Sequence, residues 1–149
     1  MARFAQGRYK VKNPEKYMGN KEPYWRSSWE FSFCKFCDEH PSIQKWASEG
    51  IKIPYRNPFT GKNTIYVPDF FIVYVDKDGK QHAELIEVKP VNQTVKEKTG
   101  KSKANQAAWI LNQAKWEAAQ SYCRQKGIKF RIVTEDDLYS GTGSRSRKR

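Results

Sequence analysis

The sequence predicts an α/β fold, bordering on α+β, in which helices flank a mixed β-sheet. Three observations carry that prediction. In "SSWEFSFCKFCDEH", Ser27 and Glu30 form a capping box ahead of an aromatic helix. In "VPDFFIVYVDKDGKQHAELIEVKP", from Val67 to Pro90, two apolar runs flank Asp78-Gly79, a strong hairpin signal. A long helical segment from Ser102 to Lys126, with Gly127 placed as its cap, runs into the apolar "IKFRIVT".

Taken in order, residues 1–24 read as a basic arm, broken by Pro14, Gly19 and Pro23, that lies on the body or on a partner and buries little. The folded domain spans 25–138, and 139–149, "SGTGSRSRKR" with its preceding tyrosine, is a flexible basic tail. Helix spacing places Trp29, Phe33, Phe36 and Cys37 on one apolar stripe, and Pro41 ends it. "IQKWASEGIKIPY" is ambiguous, but alternation at Ile51, Ile53 and Tyr55 favours a strand, and "NTIYV" adds another. "VNQTVKEKTGKSK" is a polar loop. On the long helix, Ala107, Ile110, Leu111, Ala114, Ala118 and Tyr122 form the apolar face, while Trp109 and Trp116 make a second stripe. The resulting order is α-β-β-β-α-β, which suits a mixed sheet.

The chain has 149 residues, enough for one domain with a real core, and an aromatic content of 14% that argues against disorder. Lys and Arg number 28 against 16 Asp and Glu, a net charge of +12 that points to a polyanionic partner, nucleic acid first. No apolar run approaches the roughly 20 residues of a membrane span, and no amphipathic basic helix stands out for a lipid surface. "MARFAQGRYKVK" has no apolar stretch behind its basic residues, so an intracellular protein is the default. Cys34, Cys37, His40 and Cys123 raise the question of a zinc site. Only half a ligand pattern is present, and the better reading is that the cysteines are small buried hydrophobes.

The end of the hairpin is oddly charged. Asp69 opens the first strand, and Glu87 and Lys89 close the second. Alternation points Glu87 and Lys89 to one face, with Cα atoms about 6.5–7 Å apart. A turn at Asp76–Gly79 brings Asp69 beside residues 86–88. Two carboxylates in one site repel, and a hard divalent cation such as Mg²⁺ offsets that cost. Such an ion polarises a phosphoryl oxygen and activates water, while Lys89 orients that water or stabilises charge on phosphorus oxygens. Glu30 can add a ligand or a base. Duller roles stand beside these: a strand start for Asp69, an exposed ion pair for Glu87 and Lys89, a helix cap for Glu30.

"PDF" followed by "IEVKP" resembles the signature of the PD-(D/E)XK nuclease superfamily. "GRYKVKNPEKYMGN", "YWRSSWEFSFCKFCDEHPSIQKWASEGIKIPY" and "NQAKWEAAQSYCRQKGIKFRIVTEDDL" extend the likeness. Together they resemble the head completion nucleases of T-even-like myoviruses, over about residues 7–138. Similar features occur in the TnsA endonuclease subunit of heteromeric transposases. The resemblance implies a restriction-endonuclease-like core and a metal-dependent deoxyribonuclease with Glu30, Asp69, Glu87 and Lys89 as its catalytic set. It implies Mg²⁺, with Mn²⁺ as a substitute, held by Asp69 and Glu87 with support from Glu30. It implies action in phage head completion before heads join tails, in the host cytoplasm or at the virion head. Implied partners are double-stranded DNA, portal, neck or head proteins, and a second copy of the chain. The basic run from Lys96 through Lys98 and Lys101 to Lys103 would hold DNA, with Lys115, Gln106 and Gln113 on the helix near the site or the DNA. The alternatives are a TnsA-like or junction-resolving endonuclease, or a non-catalytic DNA-binding head or neck protein.

Overall fold

A four-stranded mixed sheet carries the molecule, and different elements cover its two faces. The structure, a computed structural model, describes residues 6–90, 102–134 and 137. Its elements are β1 (Gly7–Arg8), β2 (Tyr24–Trp25), α1 (Ser28–Glu39), β3 (Ile43–Ser48), β4 (Ile53–Arg56), β5 (Asn63–Tyr66), β6 (Phe70–Val75), β7 (Gln81–Val88), α2 (Lys103–Lys126) and β8 (Lys129–Val133). The main sheet runs β3-β6-β7-β8, while β1–β2 and β4–β5 are separate two-stranded pairs. β3, β6 and β7 are antiparallel neighbours, and β8 joins β7 in parallel. A parallel pair needs a crossover, and α2 supplies it. The mixed sheet with flanking helices is the architecture the sequence predicts.

α1 starts as expected: the Ser27 hydroxyl accepts the Glu30 N–H at 3.1 Å. Its buried face differs from the predicted stripe. Phe33, Cys34, Cys37 and Asp38 point inward, and Phe36, 41% exposed, sets its ring tilted against that of His40 instead. The inward set packs with Trp46, Phe70, Ile72, Ile86 and Val88 on one side of the sheet. The opposite side packs Leu85 against Trp116, Ala119 and Cys123 of α2 and against Ile53 and Tyr66 of the β4–β5 hairpin. Cys34 and Cys37 therefore lie in one core and Cys123 in the other, all buried as free thiols. They are small hydrophobes, and the sheet separates them.

The ambiguous stretch resolves into two strands, β3 and β4. A register shift between Ile43 and Lys45 interrupts the β3–β6 ladder, and an irregularity of that kind erases the period-two pattern by which a strand is read. α2 has the predicted C-terminal cap, Gly127 left-handed at φ 74°, and at its start Ser102 accepts the Asn105 N–H. Its buried residues are Asn112, Trp116, Ala119 and Cys123, none of them from the predicted face, although at its edge Ala118 and Tyr122 pack partly buried against the same core. Ile110 is 45% exposed. A bulky indole fills the wedge between sheet and hairpin, so Trp116 faces inward and sets the rotation of the helix. The N-terminal segment also buries more than predicted. Tyr9 is in the core, its hydroxyl donating to Asp38 at 2.7 Å, and Tyr17 pairs with Trp46. The loop at 91–101 and the tail at 139–149 lie outside the described residues.

Candidate active site

Pro68 is fully buried and has no N–H for a ladder, so pairing along β6 begins after it. Asp69 is the residue in between, held at both ends. Its carbonyl accepts the Glu49 N–H at 2.9 Å, and its Oδ2 accepts the Val88 N–H at 2.8 Å. Glu49 reaches that carbonyl from a left-handed backbone, φ 54°. The register Phe70↔Ile86 then sets Asp69 beside Glu87 and Val88.

Glu87 shares with Leu85 the face of β7 that α2 covers. The Tyr66 hydroxyl of β5 donates to its Oε1 at 2.7 Å, and Lys89 Nζ stands 3.6 Å from its Oε2. Lys89 is itself fixed through its backbone, whose N–H donates to the Val133 carbonyl at 2.9 Å. From α2, Lys115 lays its ammonium over the Tyr66 ring at 5.7 Å. The predicted trio of Asp69, Glu87 and Lys89 is brought together, with Lys115 near it.

The electrostatics are those of crowded acids in a dry place. Burial, then the charge of Glu87, raises the Asp69 carboxyl well above its usual range, against the pull of the Val88 N–H. Burial also raises Glu87, while the Tyr66 hydroxyl, Lys89 and Lys115 pull it down. Glu30 contributes to the field, its charge raising Asp69 further. Its Oε1 accepts the Arg26 N–H at 2.9 Å, so it also caps the helix entry. Among the described residues no group of three or more His, Cys, Asp and Glu side chains is placed to hold a metal ion. The pair Asp69 and Glu87 still suits a hard cation: both are oxygen donors, Glu87 is buried and Asp69 half-buried, and one oxygen of each is already tied to a donor of the protein. Mg²⁺ keeps several waters and needs few protein ligands.

Of the basic residues expected to meet DNA, Lys103 is exposed at the start of α2 and Lys115 is at the site. Lys96, Lys98 and Lys101 lie outside the described residues. Gln106 and Gln113 are both exposed on α2. Sequence reading missed Tyr66. Its signal was faint: a phenol at the end of "NTIYV" reads as one more apolar strand residue, and its partner is 21 positions away.

Residues 40–135 match a family profile described as the N-terminal domain of TnsA-like endonucleases. The chain is also 37% identical over 142 residues to the head completion nuclease of Enterobacteria phage T4, an alignment covering 89% of this chain and 92% of that protein.

Proposed function

The chain belongs to the family of TnsA-like endonuclease N-terminal domains, whose fold is that of PD-(D/E)XK nucleases, and on that footing we propose that it hydrolyses phosphodiester bonds of double-stranded DNA with the help of Mg²⁺. The observation that carries this reading is the pairing of half-buried Asp69 with buried Glu87, with Lys89 Nζ 3.6 Å from Glu87 Oε2. Asp69 and Glu87 would hold the ion, and Mn²⁺ would substitute for it. When bound, the ion polarises a phosphoryl oxygen and acidifies a water. Glu30 supports it through the field at Asp69 rather than as a third close ligand.

The rest of the chemistry falls to the chain. The Val88 N–H and the Tyr66 hydroxyl each engage one carboxylate oxygen, which fixes the rotamers of Asp69 and Glu87 before substrate arrives. Lys89, 27% exposed at its side chain, can turn from Glu87 to a non-bridging phosphate oxygen and stabilise charge growing there. Lys115, over the Tyr66 ring, adds a second cation that acts on Glu87.

A place in phage head completion, before heads and tails join, is supported by likeness to the phage T4 nuclease across nearly its whole length. That reading locates the protein in the infected host cell, with portal, neck or head proteins and a second copy of the chain as its protein partners. No helix among the described residues is long and apolar enough to cross a membrane. The direct test incubates the purified protein with linear, circular and branched DNA, in Mg²⁺ and in EDTA, beside Lys89→Ala. Cleavage should need the metal and fall about 100-fold or more in Lys89→Ala with DNA binding kept. Cleavage in EDTA, or undiminished in the variant, would refute the assignment.

A further inference from the structure

From Gly50 to Pro68 the chain carries Lys52, Arg56 and Lys62 and no acidic residue. That acid-free stretch is the β4–β5 hairpin with its flanks. Its inner face is spent on the core, where Ile53 and Tyr66 pair and pack against α2. The outer face pairs Pro54 with Ile65 and Arg56 with Asn63, and all four are exposed. At the tip, Phe59 is 57% exposed, and Ile65 on the same outer face is 51% exposed.

The tip is rigidly built. Asn57 Oδ1 accepts the N–H groups of Phe59 and Thr60 at 2.8 and 3.2 Å. The Asn57 N–H donates to the Lys62 carbonyl, the Gly61 N–H returns to Asn57, and Gly61 is left-handed at φ 72°. A turn this well bonded does not let its phenyl ring fold back onto the core. The exposed ring lies along the chain between Arg56 and Lys62, both exposed, a set of groups suited to a ligand with both apolar faces and negative charge. Duplex DNA has both, in base stacks and phosphates.

The hairpin also ends at the site. β5 terminates at Tyr66, which holds Glu87. Four residues of strand span about 13 Å, which equals roughly four base steps along one strand. Resting on the nuclease reading above, we infer that the β4–β5 hairpin is a DNA-engaging arm of this site. Arg56 and Lys62 take phosphates, and Phe59 wedges into a base step about four base pairs from the cut.

The test uses the full chain in EDTA and a short duplex carrying 2-aminopurine at the expected step. Wild type should unstack the probe and raise its fluorescence. Phe59→Ala should lose that signal with an unchanged melting temperature. Arg56→Gln with Lys62→Gln should keep the signal at low salt but lower the slope of log affinity against log salt by about 1.8. Wild-type fluorescence and salt slope in both variants would overturn the inference, as would loss in Phe59→Ala of attachment to assembled heads alone. Mg²⁺-dependent cleavage by wild type, run alongside, separates the two readings. A wild type that neither binds nor cuts removes the nuclease assignment; one that does both, with indifferent variants, removes only the arm.

Discussion

Asp69 offers a substitution that separates charge from shape. Asp69→Asn keeps an acceptor for the Val88 N–H and deletes a charge that burial and Glu87 both disfavour. The variant should lose cleavage while the metal-free protein melts higher, by about 1 kcal/mol or more of stability. A lower melting temperature would mean that the carboxylate stabilises the fold. The same shift predicts a pH dependence. Since the folded state holds the Asp69 and Glu87 protons more tightly than the unfolded chain does, the metal-free protein loses stability as pH rises through and above the ordinary carboxylate range. A divalent ion relieves that loss only once the protons have left. Calorimetry should therefore find a larger Mg²⁺-induced rise in melting temperature near about pH 8 than near about pH 5. Equal rises would contradict the assignment of these acids as ligands. Strand alternation alone placed Glu87 and Lys89 on one face. Tyr66 escaped because its value depends on a partner far along the chain.

Among the elements, α2 shows where sequence reading stops. Its ends were legible because Ser102 and Gly127 have local jobs. Its rotation was not, since several faces of the helix carry apolar residues and only the space under the β4–β5 hairpin selects one. Trp116 fills that space. Trp116→Ala should cost about 3–5 kcal/mol, whereas Ile110→Ala should stay within about 0.5 kcal/mol. Chemical denaturation of the two variants measures both, and a reversed order would give the apolar face back to Ile110. The β6–β7 hairpin was legible throughout, for its turn closes locally: the Asp76 N–H donates to Lys80 and Gly79 takes φ 84°. β3 was hidden by its own register shift. On α1, Phe36 lost its inward place to Cys34 because the sheet approaches over the Cys34–Cys37 edge.

Across the whole molecule the N-terminal segment is the part whose weight the sequence conceals. Asp38 is fully buried at the end of α1 and gathers donors from that segment: the Tyr9 hydroxyl, the Lys12 N–H, and both the backbone and side-chain amides of Asn13. Burial pushes its carboxyl up, but these hydrogen bonds outweigh it and hold the group below the usual carboxylate range. A depressed acid stabilises above its unfolded value, so the clamp should loosen as pH falls through that low range. Asp38→Asn sets a donor against these donors and should cost about 1–3 kcal/mol, with faster proteolysis near Tyr9. An unchanged melting curve would show that the segment is held by packing alone. The net charge of +12 suits a polyanion without fixing where it is met, while the core decides where the acids meet. The parallel pairing of β8 with β7 adds a matter of timing. Translation delivers Asp69 and Glu87 well before Val133, whose carbonyl must take the Lys89 N–H to close the sheet beside them. A fragment ending within α2 has both acids but lacks Lys129–Val133, so the strand edge beside them stays open until β8 is made.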